Sequence, residues 1–368
     1  MTLTVVDRLL MRFAVALIIA GGLLLIGSFV PVSPDFGPDQ PALANAASTV
    51  KPGFGVKAPL AGLLDRAGPA DKPYLSGFVL RVRWADIEPQ PGRVDLSRIR
   101  AGLRFAATHG QRVVLRVTAG VDAPAWAQRL GGAPLPFFDH SQGRWLTLGR
   151  FWRPDYRREW GRLQAQLATA FDADPTLAQV NVCGTGEISC EVMLIFGADA
   201  HGRNGRTLIA AGYTPAARAA ALKFDLANML AVWHTTWIEL TCHPWRDLDR
   251  AGRQTGADLV GTKRVAAAFL AAAGGRGLLL HTGLGPHLLR APMTRAMYYW
   301  AAGHHYPFAL QTETYARLEE HLLRWLAYGC RRSAMSIELP RGYLQAAPLG
   351  LARAARCTVR NAGREAPA

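Results

Sequence analysis

The chain has 368 residues, 50% of them hydrophobic and 19% charged, which excludes disorder along its whole length. Five cysteines exclude a disulfide scaffold. The formal charge is +15, but its 37 Arg and 5 Lys are scattered, with no run longer than two and no nucleic-acid motif; nucleic acid is not expected as a partner, and attraction to acidic polysaccharide or an anionic membrane surface stays open.

Residues 1–12 are a short segment carrying Arg8 and Arg12, and Phe13 to Val32 is a run of 20 uncharged, mostly apolar residues. At about 1.5 Å per residue, a helix of that length spans a bilayer core. The run is long for a cleavable leader, and the nearest small-x-small site, Ala44-Asn45-Ala46, lies well beyond it. A transmembrane anchor at 13–32 is therefore expected, or a secreted protein if the segment is cleaved. The flanking arginines predict a cytoplasmic N-terminus and an exported body, periplasmic or extracellular. Residues 33–53, aperiodic and rich in Pro, Gly, Ala, Asp and Ser, read as a linker. An exported compartment permits disulfides. Cys183 and Cys190 are close enough in sequence to pair, with buried free thiols the alternative, and an odd number leaves at least one cysteine unpaired.

The body, 54–368, alternates apolar β-rich runs with helical patterns. Phe54 to Ala58 is the expected first strand and Gly77 to Trp84 (GFVLRVRW) the second. A helix follows over Asp95 to His109, with Leu96, Ile99, Leu103 and Ala106 on one face and Gly110 as its stop. Then come a strand over Arg112 to Thr118, a helix over Asp155 to Phe171, and a strand over Leu177 to Cys183. Thr214-Pro215 reads as N-cap and first helical residue of a helix reaching Trp237. Ile238 to Cys242 is a fifth strand, Thr262 to Ala273 a helix, and Gly277 to His281 and Phe308 to Thr312 are strands. Glu313 to Ala327 is helical, and Ala334 to Glu338 closes the series as the eighth strand. No Gly-rich phosphate loop follows any strand, which disfavours a nucleotide-binding doubly wound sheet. The expected fold is a single (β/α)8 TIM barrel, an α/β architecture, preceded by one N-terminal transmembrane helix.

In such a barrel, functional side chains sit at the C-terminal strand ends. Those positions carry Arg83, Trp84, Asp86 and Glu88 after the second strand, and Asp122 and Trp126 after the third. Glu187 and Glu191 follow the fourth, His281 the sixth, Gln311 and Glu313 the seventh, and Glu338 the eighth. Carboxylates on different strands suit glycoside hydrolysis, where one protonates the leaving oxygen and the other attacks the anomeric carbon or activates water. Trp84 and Trp126 either stack on sugar rings or pack in the core. Arg83 is placed to hold a carboxylate ionised, and His281 and Gln311 to bind substrate. Glu187 and Glu313 alternatively serve their helix starts, Glu338 pairs with an Arg, and Glu88 belongs to a Glu-Pro turn. No HExxH or CxxC spacing and no GxSxG elbow is present, so neither a metal nor another cofactor is expected.

The stretch RWADIEPQPGRVDLSRIRAGLRFAATHGQRVVLRVTAGVDAPAW, Arg83 to Trp126, resembles the second and third βα units of barrel glycoside hydrolases, and the likeness continues through WRPDYRREWGRLQAQLATAF and LAQVNVCGTGE. It covers about 77–191; the remainder matches by strand rhythm. The resemblance implies an acid/base Glu after strand four and a nucleophile Glu after strand seven, roles that fall on Glu187 and Glu313. It implies a retaining hydrolase acting on a cell-surface or extracellular polysaccharide or oligosaccharide. The Asn-Glu pair that usually ends strand four is absent, which fits a second reading: a non-catalytic glycan-binding barrel serving envelope or exopolysaccharide machinery.

Overall fold

Strand runs without polar interruption are buried on both faces, as parallel strands under helices must be. In the computed structural model, which describes residues 55–195, 202–318 and 321–363, the strands are β1 (Gly62–Asp65), β2 (Leu75–Arg83), β3 (Arg112–Thr118), β4 (Leu135–Asp139), β5 (Arg144–Leu148), β6 (Leu177–Asn181), β7 (Trp237–Thr241), β8 (Gly277–Leu284), β9 (Phe308–Thr312) and β10 (Ser336–Leu339). Eight of them close into a parallel barrel in the order β1-β10-β9-β8-β7-β6-β3-β2, and β4 and β5 form a separate antiparallel hairpin. The expected (β/α)8 barrel is thus the fold.

The outer layer is α1 (Ser97–Thr108), α2 (Pro154–Phe171), α3 (Pro215–Val232), α4 (Leu259–Ala273), α5 (Pro292–Gly303), α6 (Leu322–Arg331) and α7 (Pro348–Ala362). Their apolar faces meet the barrel: Ile99, Leu103 and Ala106 of α1 and Trp160, Leu163, Leu167 and Phe171 of α2 are buried in the main core. Thr214 caps α3, accepting from Ala217 N with Pro215 in the first turn, and Asp258 caps α4 by accepting from Gly261 N. Two smaller apolar clusters, one of Leu60, Leu64, Val79, Val114 and Ala178 and one of Trp237, Leu278, Leu280, Ala309 and Met335, pack apart from that core.

Several boundaries differ from the sequence reading. The first strand is Gly62–Asp65, not Phe54–Ala58. Residues 55–61 instead lie outside the sheet, where Lys57 Nζ donates to Leu177 O at 2.9 Å and Thr236 Oγ1 at 2.8 Å. The α3 helix stops at Val232, because Thr235 and Thr236 turn the chain by donating their backbone N–H groups to Asp172, leaving Trp237 to begin β7. The helix expected from Glu313 begins only at Leu322, after a single 3-10 turn at Tyr315–Leu318. The hairpin β4–β5 and the helix α7 were not foreseen.

Cys183 pairs with Cys190 and Cys330 with Cys357, leaving Cys242 as a buried thiol. The anchor and linker expected at 13–32 and 33–53 lie outside the described residues. Among the described residues, no helix is long and apolar enough to cross a membrane.

Candidate active site at the barrel mouth

Side chains alternate along a strand, so one charged residue in an apolar run goes to a defined side. β3 starts at Arg112, and its mid-strand charge is Arg116, which enters the barrel. Its Nη2 donates to Glu338 Oε1 of β10 at 2.6 Å and reaches Glu239 Oε1 of β7 at 3.4 Å, while Nε donates to Asn181 Oδ1 of β6 at 3.2 Å. Asn181 Nδ2 donates to Glu239. Gln311 of β9 donates to Glu338 Oε2 at 2.9 Å and accepts from Arg66 Nη1 at 3.1 Å. Burial opposes the charge on Arg116, but its two carboxylates outweigh that and raise its pKa. Two acids share one guanidinium, so burial and the charge of Glu338 push Glu239 upward against the pull of Arg116. This polar layer is the floor of the mouth.

Above it opens a cleft of about 1080 Å³. On one wall stands Glu191. Its Oε1 accepts from Thr282 Oγ1 of β8 at 2.5 Å and lies 3.4 Å from His243 Nε2. Thr282 spends its proton on Glu191, so its oxygen accepts from His243 Nε2 at 2.8 Å; the imidazole carries hydrogen at Nε2. Burial alone would raise the Glu191 carboxyl, but the His243 hydrogen bond and charge, with Thr282 and Ser189, hold it down at about 2.

The loop that brings Glu191 there is closed by the Cys183–Cys190 disulfide. It packs against the turn after β3, where Val121 N donates to Glu187 O at 2.8 Å. That approach needs Gly120: its φ is +59°, and a Cβ there would lie 2.2 Å from Glu187 O. Asp122, on the same turn, accepts from Thr118 Oγ1 at 2.6 Å and from Arg81 Nη2 at 3.2 Å, and Arg81 Nη2 also reaches Ile188 O at 3.4 Å. At the rim, Arg83 grips Asp86 through Nε at 3.0 Å and Nη2 at 2.5 Å, with Arg98 3.6 Å away.

The candidates read from the sequence divide on this frame. Arg83 and Gln311 line the cleft. Glu187 does not: it is 1% exposed, and its charge is felt by Tyr213, which is itself buried with Asp247 and with Arg218 of α3. Glu313 does not line it either, because its Oε1 accepts from His287 N at 3.0 Å and its side chain folds over Gly285. Trp84 is fully buried against Trp126, Tyr156 and Trp160, and donates Nε1 to Glu88 Oε2 at 2.9 Å. Trp126 donates Nε1 to Glu88 O at 3.0 Å. Trp84 thus builds the wall behind the mouth with the half-buried Trp126 packed on it, and neither ring lines the cleft.

His281 is also off the cleft. Leu280 and Thr282 face the cleft, so His281 between them faces out toward α5, beside Met297 and Tyr298. Burial first, then the charge of His243, lowers its pKa to about 3, so it stays neutral. Glu338 is the Arg partner that the sequence allowed, and Glu88 is the turn residue, accepting from Gly92 N at 2.8 Å and from Arg162. Among the described residues, no group of three or more His, Cys, Asp or Glu is placed to hold a metal ion. The sequence reading missed Arg116 and the pairing of His243 with Glu191. The mid-strand Arg of RVVLRVT, set between Leu115 and Val117, was the available signal for the first.

No protein-family model matches the chain, and no curated protein does. Among solved structures, the chain is similar to endo-glycoceramidase II from Rhodococcus sp., seen as a lactosyl-enzyme intermediate, with 15% identity and a TM-score of 0.45 over 78% of this chain and 75% of that one. It is also similar to xylanase B from Clostridium stercorarium F9, with 11% identity and a TM-score of 0.41 over 83% and 91% of the two chains. The likeness is one of fold.

Proposed function

We propose that the barrel hydrolyses O-glycosyl bonds of a polysaccharide, with Glu191 as the ionised catalytic carboxylate. The observation that carries this reading is the position of Glu191: on the cleft wall, with Thr282 and His243 holding its charge. A carboxyl held at about 2 is a nucleophile or base and a poor proton donor at neutral pH. In the retaining form, Glu191 attacks the anomeric carbon while the departing glycosidic oxygen takes a proton from solvent water, because Asp122 is engaged as an acceptor by Arg81 and Thr118. Water, losing its proton to solvent, then displaces Glu191 from the sugar. Arg81 ties the two elements together by bonding both Asp122 and Ile188 O. Screening the protein against polysaccharides with reducing-end detection tests the activity. Turnover lost in Glu191→Gln supports the assignment, and turnover retained in that variant removes it.

One observation favours a second reading, a glycan-binding barrel without catalysis. The β9 residue that faces the mouth is the amide Gln311, and the neighbouring acid, Glu313, turns away. Oligosaccharide binding with no turnover, unchanged by Glu191→Gln, would select it.

The same proposal places the barrel outside the cytoplasm on an N-terminal anchor. The apolar run 13–32, its preceding arginines and two disulfides support it. Free thiols at Cys183 and Cys190 in intact cells would count against it.

A further inference from the structure

The cleft has two chemically distinct sectors. Its lining carboxylates, Asp86, Asp122 and Glu191, follow β2, β3 and β6, and each has a cation or an imidazole beside it. The other sector is built from the ends of β9, β10 and β1, which lie side by side in the barrel. There the charged groups on the cleft are Arg66 after β1 and Arg341 after β10, with Gln311 and Tyr315 from the β9 side; no carboxylate of that sector lines the cleft among the described residues.

The nearest acids are engaged elsewhere. Asp65 accepts from Tyr343 Oη at 2.8 Å and Ala67 N at 2.7 Å. Glu338 is taken by Arg116 and Gln311. Arg66 is held in place, its Nη1 donating to Thr312 O at 2.6 Å. Burial lowers the Arg66 pKa, and the charges of Arg116 and Arg341 add to that against Glu338 and Asp65. Two guanidiniums, Arg66 and Arg341, thus line this sector above the paired Arg116, and among the described residues no carboxylate beside them faces the cleft.

We propose that this sector binds a negatively charged group on the sugar, so that the ligand is an anionic saccharide bearing a carboxylate or a sulfate ester. The proposal rests on the glycosidase reading of the cleft and specifies its substrate class. A guanidinium offers a planar fork of donors matched to either oxyanion, and desolvation in a cleft strengthens the pairing. A neutral sugar supplies hydroxyls and leaves Arg66 and Arg341 without an anion on the cleft side.

The test uses the full chain and three oligosaccharide probes of matched length: a uronate, a sulfated neutral sugar and the same neutral sugar unmodified. Affinities are read by isothermal titration and cleavage by reducing-end release. The expected result is that at least one anionic probe binds about ten-fold or more tightly than the neutral one. Arg341→Gln, at an exposed position where folding is not at stake, cuts that preference, as does Arg66→Gln. A preference for the uronate identifies a carboxylate ligand; a preference for the sulfated probe identifies a sulfate ester. Equal affinity for all three, or a preference untouched by both variants, overturns the proposal, while binding and cleavage of the neutral probe would preserve the reading of the cleft. If no probe is bound or cleaved, both readings fall.

Discussion

Arg116 Nη2 donates to Glu338 Oε1 at 2.6 Å inside the barrel, and both side chains are almost wholly shielded from solvent. Glu239, which meets the same Nη2 at 3.4 Å, is the surplus acid of the trio. The three residues are therefore unequal in their effect on stability. Arg116→Met leaves two buried acids without their cation and should cost about 3–5 kcal/mol in denaturant unfolding. Glu239→Gln removes the acid that burial already disfavours, and should cost far less.

Asp225 and Glu191 should give opposite slopes of stability against pH. Asp225 is fully buried and accepts from Trp160 Nε1 at 2.8 Å and Gly184 N at 2.7 Å; burial raises its carboxyl from 3.8 to about 6. The native state then holds the proton more tightly than the unfolded chain, so stability falls as pH rises from about 4 to about 6. Glu191 is depressed from 4.5 to about 2, so its contribution is complete above 4.5 and is lost as pH falls toward 2. Each shift corresponds to roughly 3 kcal/mol at most. Unfolding curves of Asp225→Asn and Glu191→Gln across that range should each lack one of the two slopes.

The two disulfides should separate function from stability. Cys330–Cys357 ties α6 to α7. Its removal by Cys330→Ala with Cys357→Ala should cost about 2–4 kcal/mol while leaving turnover of folded protein intact. Cys183–Cys190 closes the loop whose end presents Glu191. Opening it by Cys183→Ala with Cys190→Ala should lower turnover about ten-fold or more in protein that is still folded, because catalytic carboxylates tolerate little displacement.

Much of the barrel was legible because most strand residues, under the helices on one side and toward the axis on the other, are apolar, as in VVL of β3 and GLLL of β8. The first strand was not, since GLLD is four residues long and its neighbour Phe54 to Ala58 carries a similar apolar share. The hairpin was lost because LPFFD carries Pro and Asp and RWLTL opens on Arg, which breaks the apolar alternation of both strands. At the site, strand parity decided more than residue type. Gln311 and Arg83 fall on the cleft, while His281 follows Leu280 by one residue and so lands on the opposite face. The choice between Glu187 and Glu191 depended on a disulfide-closed loop, whose path no local spacing specifies. Among the described residues the cleft joins loops from six or more strands, and such long-range assembly is not written in any one segment.

The most direct measurement is a steady-state comparison of three variants on whichever polysaccharide the protein cleaves: Glu191→Gln, Glu187→Gln and Glu313→Gln, with unfolding curves for each. The account predicts that Glu191→Gln lowers kcat/KM by about 10² to 10⁴-fold with folding retained, while the other two lose far less. Full activity in Glu191→Gln, with activity abolished in folded Glu187→Gln or Glu313→Gln, would contradict it.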